Sequence, residues 1–289
     1  MSISSLKPPV LSVVIPTWNR AQMVCEAIES ALTQGPARVE VIVVDDGSTD
    51  NTANEIVRRF NSNVRLIRKT QRGGTGAARN AGIHQAKGEL LAFLDSDDLW
   101  LPGKLDAELS VFERFPAAEA VVSDSLTFFE HQPSHQSWFE INGLLAATQG
   151  QVRWLNDCPW LWTNWQNTLA TCSITMRRNV LDRIGQPVFV ENLKTCEDWE
   201  LELRIYNECR VAVLPEVWSY VRRVDDGARP DRRPPGTPRT ESEEISVLRD
   251  RLNVLERSLR LGGLNSDLLN ELERGRSVTA QLLASYEKV

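Results

Sequence analysis

Leu90-Leu91-Ala92-Phe93-Leu94-Asp95-Ser96-Asp97-Asp98 is the stretch from which the rest of this chain is best read. Five apolar residues run straight into a cluster of carboxylates, the pattern of a buried strand with an acidic turn at its carboxyl end. Clustered carboxylates repel one another, and burying them is costly unless a cation compensates. Oxygen-only ligands suit hard divalent ions such as Mg2+ or Mn2+, and such an ion would hold a diphosphate in turn. One aspartate in a loop would be read as a solvated turn or a helix cap. A cluster directly behind an apolar strand is better read as a ligand site.

The residues on either side place that strand in a sheet. Leu11 to Ile15 is a β-branched run, and residues 21–34 put Val24, Ala27, Ile28, Ala31 and Leu32 on one helical stripe that Gly35-Pro36 ends. A second strand, Val39 to Val44, stops at Asp45-Asp46-Gly47-Ser48. A helix carrying Ile56, Val57 and Phe60 follows, with Ser48, Asp50 or Thr52 available as its cap. Next come a strand over Val64–Ile67, a small-residue helix over 75–86, a helix over Leu105–Phe115 and a strand over Ala120–Val122. Strands alternating with helices predict an α/β fold with a mostly parallel sheet. Ligands of such sheets bind beyond the carboxyl ends of the strands, so both acidic clusters fall on the ligand edge.

From about residue 125 to 170 the rhythm breaks into an aromatic stretch with Trp138, Trp154, Trp160, Trp162 and Trp165. Those rings suit stacking on sugars, contact with a membrane interface or a hydrophobic lid. Regular structure resumes at Thr171–Met176, followed by a helix over Asp198–Asn207 and a strand over Val211–Leu214. The division expected is a domain over 1–224 (halves 10–124 and 125–224), a Pro/Gly/Arg-rich linker over 225–240 and a helical extension over 241–289. The run Arg222, Arg223, Arg229, Arg232 and Arg233 reads first as solvated linker and second as a site for anionic phospholipid or a phosphorylated acceptor. The stripe Leu248, Leu252, Leu255 and Leu259 is too short for a convincing coiled coil. It could pair subunits in a homo-oligomer or pack back on the preceding domain.

The 289 residues, 42% hydrophobic and 25% charged, are ordinary globular composition. A net charge of −6 gives no reason to expect nucleic acid as partner. Five scattered cysteines form no C-x-x-C pair, which argues against zinc or a disulfide framework and for reduced thiols in the cytoplasm. No run reaches the roughly 18 apolar residues of a membrane span, and Met1–Pro9 lacks a signal peptide's apolar stretch. A cytoplasmic protein is expected, with peripheral contact at the cytoplasmic face of a membrane left open.

Four motifs in order then make a resemblance. Val13-Val14-Ile15-Pro16-Thr17-Trp18-Asn19-Arg20, Val43-Val44-Asp45-Asp46-Gly47-Ser48-Thr49-Asp50, Ala78-Arg79-Asn80-Ala81-Gly82-Ile83 and Phe93-Leu94-Asp95-Ser96-Asp97-Asp98 together resemble the N-terminal signature of the family 2 glycosyltransferases, which have the GT-A fold. The likeness covers residues 11 to about 223 and is dense to about 105. It implies that Pro16, Thr17, Trp18 and Arg20 line a nucleotide pocket. Asp46, ahead of Asp45, would accept a hydrogen bond from the nucleobase. Gly74 and Arg79 would lie near ribose and diphosphate. Asp95 and Asp97 form the D-x-D motif, and Asp97 and Asp98 would bind ribose and metal. Glu197-Asp198, opening a helix, resembles the family's acceptor-base motif, with Asp198 as the base; alone, the pair would be read as charge complementing the helix dipole. The resemblance thus implies an inverting, Mn2+- or Mg2+-dependent transfer. The donor expected is a nucleotide-sugar, in first place a UDP-sugar. The acceptor expected is a carbohydrate or a lipid-linked sugar. Two other readings compete. A sugar nucleotidyltransferase would need a glycine-rich, Arg- and Lys-bearing loop where Pro16–Arg20 stands, and a non-catalytic nucleotide-sugar scaffold would not need Glu197-Asp198.

Overall fold

The structure, a computed structural model, describes residues 10–129, 132–155, 169–223, 240–261, 264 and 266–286. β1 (Leu11–Thr17), α1 (Ala21–Leu32), β2 (Val39–Asp45), α2 (Thr52–Phe60), β3 (Val64–Arg68), α3 (Thr75–Ile83) and β4 (Leu90–Phe93) alternate as the apolar runs predict. They pair in parallel in the order β3-β2-β1-β4. All of β1 is buried, as its β-branched residues and its place in the parallel sheet require. Successive side chains point to opposite faces. Val13 and Ile15 therefore pack with Val24, Ala27 and Ile28 of α1, while Val14 packs with Ile83 of α3, Leu91 and Phe93.

The chain continues through β5 (Leu99–Trp100), α4 (Lys104–Arg114), β6 (Ala120–Phe129), β7 (Gln132–Ser137), α5 (Trp138–Ile141), α6 (Leu144–Thr148), β8 (Arg153–Trp154), β9 (Ile174–Arg177), α7 (Leu181–Ile184), α8 (Glu197–Glu208) and β10 (Val211–Arg222). β9 lies antiparallel between β4 and β6, so the sheet reads β3-β2-β1-β4-β9-β6-β10-β5. Both β6 and β10 outrun the strands expected from the sequence. In β6 the polar residues Ser123, Asp124 and Ser125 are buried and hide the apolar period. Asp124 accepts from the Phe139 amide at 2.9 Å, and the Ser125 and Ser219 hydroxyls meet at 2.6 Å. In β10 the ladder steps irregularly between Leu214 and Val217, which carries it past Pro215, a residue with no N–H to donate. Residues 125–129 and 132–155 are accordingly more regular than their sequence suggests. Trp160, Trp162 and Trp165, like Arg229, Arg232 and Arg233, lie outside the described residues.

α9 (Glu241–Ser258) starts at a capping box between Thr240 and Glu243, and α10 (Ser266–Tyr286) follows. Leu248 and Leu255 are buried, and Leu255, Val254, Leu268 and Leu272 share one core with Trp199 and Leu203 of α8. Of the leucine stripe, Leu248 and Leu255 thus pack inward, while Leu252 and Leu259 are half-buried. No described helix is long and apolar enough to cross a membrane.

The small residues of α3 let it approach β1 closely. A Cβ on Gly82 would stand 2.4 Å from Val14 Cγ1, in a fully packed interior. Gly82→Ala is expected to lower stability by about 1–2 kcal/mol in chemical denaturation. Overpacking of roughly 1–3 kcal/mol outweighs the roughly 1 kcal/mol that alanine gains over glycine in a helix.

Candidate active site

The carboxyl ends of β1 and β2 carry two loops that hold each other. The Ser48 hydroxyl accepts from the Asn19 amide at 2.9 Å, and the Thr52 hydroxyl accepts from the Arg20 amide at 3.0 Å. Asp45 is buried below them, where it accepts from the Ser48 amide at 2.9 Å and lies 3.6 Å from Arg68 Nε. Asp46 faces the other way. Its Oδ1 accepts from Lys69 Nζ at 2.6 Å and from the Gly73 amide at 2.9 Å, and its Oδ2 accepts from the Gly74 amide at 2.7 Å. Asp46 is thus the anchor of the glycine-rich loop, through charge-assisted hydrogen bonds.

Beyond β4, Asp95–Asp98 form a turn closed by the Asp98 amide donating to the Asp95 carbonyl at 3.0 Å. Asp95, Asp97 and Asp98 are all buried, and carboxylate oxygens of the three lie within 4.8 Å of one another. Cationic groups come from three elements. Arg20 pairs with Asp97 at 2.8 Å and Arg79 with Asp95 at 2.6 Å. The Arg222 amide donates to Asp98 at 2.9 Å, while its Nε donates to the Asp97 carbonyl at 2.8 Å. Arg222 therefore belongs to the fold and not to a solvated linker. Three buried carboxylates converging through oxygen alone fit a hard divalent cation. The set includes Asp95 as well as the predicted Asp97 and Asp98.

Arg79, fully buried, also reaches the predicted acceptor-base motif. Its Nη1 donates to Glu197 Oε1 at 3.0 Å, and its guanidinium stacks 4.8 Å from the Phe189 ring. One cation thus joins the acidic turn to the start of α8. It stands between the two carboxylates rather than on the wall of the cleft expected for a phosphate contact. Beside buried Glu197, Asp198 is half-buried. Its Oδ1 accepts from the Trp199 amide at 2.8 Å, and the Thr171 hydroxyl lies 3.5 Å from its Oδ2. Trp100, two residues past the acidic turn, donates from Nε1 to the Cys172 carbonyl at 2.8 Å and so fixes the segment carrying Thr171.

Pro16, Thr17, Trp18, Arg20, Asp46, Gly74 and Asp95 line a single cleft enclosing about 570 Å3 of space open to solvent. Arg72, Thr75, Ala78 and Ser96 complete its wall, whereas Asp45, Arg79, Asp97, Asp98, Glu197 and Asp198 do not line it. Nothing in the local sequence singles out Arg72, whose guanidinium sits 3.6 Å from the centroid of the Trp18 ring, or Lys69 beneath the glycine-rich loop. Both are exposed or half-exposed cations on a loop, and only the fold brings them to Trp18 and Asp46.

Glu202, one turn after Asp198, is a buried acid that sequence reasoning passed over. Burial first, and then the charge of Asp198, hold its carboxyl well above the usual range, against a smaller lowering from the Leu169 amide. The folded state therefore keeps Glu202 protonated at pH values where the unfolded chain, above about 4.5, releases the proton. This contribution to stability is complete below that pH and is lost as pH rises toward the folded value. Glu202→Gln should accordingly gain stability over wild type as pH rises from 4 to 7, with a flatter dependence of melting temperature on pH.

Comparison with known proteins agrees with this geometry. The profile of Glycosyl transferase family 2 matches residues 12–184. Over 102 residues the chain is 34% identical to the Escherichia coli UDP-Glc:alpha-D-GlcNAc-diphosphoundecaprenol beta-1,3-glucosyltransferase WfgD, covering 35% of this chain and 40% of that protein. Staphylococcus aureus TarS 1-349 in complex with UDP-GlcNAc superposes with a TM-score of 0.63 at 22% identity, covering 96% of this chain and 71% of that one. A Pyrobaculum calidifontis mannosyltransferase in complex with GDP-Man and Mn2+ superposes at 0.64 and 18%, covering 98% and 76%. At such identities the superpositions speak for the fold, which is GT-A. The chain spans only 27–59% of the length of five Rickettsia relatives described as uncharacterized glycosyltransferases. With four motifs in order, a GT-A sheet and a family profile matched over more than half its length, this chain belongs to glycosyltransferase family 2.

Proposed function

We propose that this chain moves a sugar from a nucleoside-diphosphate sugar, in first place a UDP-sugar, onto an acceptor hydroxyl with inversion at the anomeric carbon. The observation that carries this reading is the tie from Asp95, in the cleft wall, through buried Arg79 to Glu197, because it joins the acidic turn to the first turn of α8, which carries the half-buried Asp198. The names of the relatives support the donor and acceptor classes. One carries a glucosyl donor with UDP and a diphosphoundecaprenol acceptor, and one fold neighbour is bound to UDP-GlcNAc. A lipid-linked or growing polysaccharide acceptor fits the first of these names. Residues 10–124 carry the donor and residues 125–224 the acceptor, with 225–240 as linker.

In this reading Pro16, Thr17 and Trp18 receive the nucleotide. Asp46 serves its base end while holding the amides of Gly73 and Gly74. Asp97 and Asp98, with Asp95 beside them, are the residues to hold Mn2+ or Mg2+. Such an ion, when bound, supplies Lewis-acid neutralisation of the diphosphate leaving group. Asp198 accepts the proton of the acceptor hydroxyl as that oxygen attacks C1, and the bond from C1 to the diphosphate oxygen breaks with its electron pair leaving on the diphosphate. The Trp199 amide, bonded to Oδ1, fixes the orientation of the base.

Asp198→Asn is expected to lower transfer by about 10²–10⁴-fold, the usual share of a general base, with donor binding nearly unchanged in calorimetry. Unaltered transfer would remove Asp198 from the role. Melting temperature against a panel of nucleotide-sugars, with and without Mn2+, should rise with one donor and depend on metal, and Asp98→Asn should weaken that dependence. Stabilisation without turnover would favour a binding scaffold instead.

A further inference from the structure

The loop that delivers α8 to the site ends in a conformation that has to be held. Cys196, directly before Glu197 and Asp198, sits at φ +62°, in the left-handed region. A residue with a Cβ is strained there by about 1–2 kcal/mol. Such strain persists where the surroundings over-determine it. One carboxylate oxygen gathers the loop. Asp250 Oδ2, on α9, accepts from the Lys194 amide at 3.1 Å, the Thr195 amide at 2.9 Å and the Thr195 hydroxyl at 3.0 Å. An ionised acceptor makes each of these bonds stronger than a neutral one would. α9 itself is fixed against α8. Val254 and Leu255 share a core with Trp199 and Leu203, and Arg257 Nε lies 3.5 Å from Glu200 Oε1. All of α9 lies beyond the segment, 12–184, that the family profile covers.

We propose that Asp250 is a positioning residue for sugar transfer: by clamping loop 194–196 it orients the first turn of α8 and with it the carboxylate of Asp198. The proposal rests on the reading of Asp198 as the base. It makes the C-terminal helical hairpin a working part of the acceptor site. A general base has to meet its proton within hydrogen-bond reach, and a displacement of about 1 Å costs on the order of 100-fold in rate. A loop released by one hydrogen-bonding oxygen can produce such a displacement without unfolding anything.

The test compares the full-length wild type with Asp250→Ala, the milder Asp250→Asn, which keeps an acceptor oxygen, and Arg257→Ala, which loosens the hairpin elsewhere. Two readouts are independent of turnover: hydrogen exchange at the Lys194 and Thr195 amides, and the rate of alkylation of Cys196 mapped to its peptide. Burial and the charge of Asp198 hold that thiol up to about 12, so its alkylation reports opening of the loop. Asp250→Ala should speed exchange and alkylation about ten-fold. It should also lower kcat about 10- to 100-fold, with donor KM and melting temperature nearly unchanged. Asp250→Asn should fall between, and Arg257→Ala should stay close to wild type. Unchanged exchange and alkylation in Asp250→Ala would overturn the clamp. Faster exchange with full kcat, or an equal loss in Arg257→Ala, would overturn the positioning role. Absence of transfer by the wild type with every nucleotide-sugar would instead remove the reading of Asp198, and exchange and alkylation would still decide whether Asp250 holds the loop.

Discussion

A guanidinium with no exposure to water is the constraint on which the site depends. Taking Arg79 out of water costs several kcal/mol unless carboxylates meet it, and Asp95 and Glu197 do so at 2.6 and 3.0 Å. The geometry cannot relax far, because Arg79 lies over the Phe189 ring and α3 is pressed onto β1 through its small residues. Moving α8 away from the sheet would strand a charge on each side of the gap. The acidic turn after β4 and the first turn of α8 are therefore held as one unit, although they belong to different halves of the chain.

The charges around the acidic turn follow the same logic. Three buried carboxylates stand together, and Arg20, Arg79 and Arg222 approach them from the end of β1, from α3 and from the end of β10. Arg222 gives its guanidinium to a backbone carbonyl and to Glu26, and meets Asp98 through its amide.

Much of the fold was legible because β1 to β4 are local signals: β-branched runs, a glycine-proline stop, acidic turns at strand ends. The candidate site was legible as motifs, and the structure brings Pro16, Thr17, Trp18, Arg20, Asp46, Gly74 and Asp95 to one cleft. What could not be read were contacts between distant segments. Arg79 stood out as part of a motif, but its buried place between Asp95 and Glu197 depends on residues more than a hundred positions apart. Ser123, Asp124 and Ser125 look like a loop and are a strand, since their partners, Phe139 and Ser219, are supplied by other elements. Asp250 is one acid among many on an exposed-looking helix until the fold places it under Thr195.

The place of β9 in the sheet has a consequence for how the chain is made. β4 finds its second neighbour only in residues 174–177, and β6 pairs with the same strand on its other side. As the chain leaves the ribosome, β1 to β4 are made long before that strand exists. During this interval β4 shows an open row of backbone donors and acceptors directly beside the acidic turn, the kind of edge that recruits other chains. Self-repulsion among Asp95, Asp97 and Asp98 stands at one end of that edge. The charges that later gather in the folded acidic turn are thus also placed to discourage wrong pairing while the sheet waits for its missing strand.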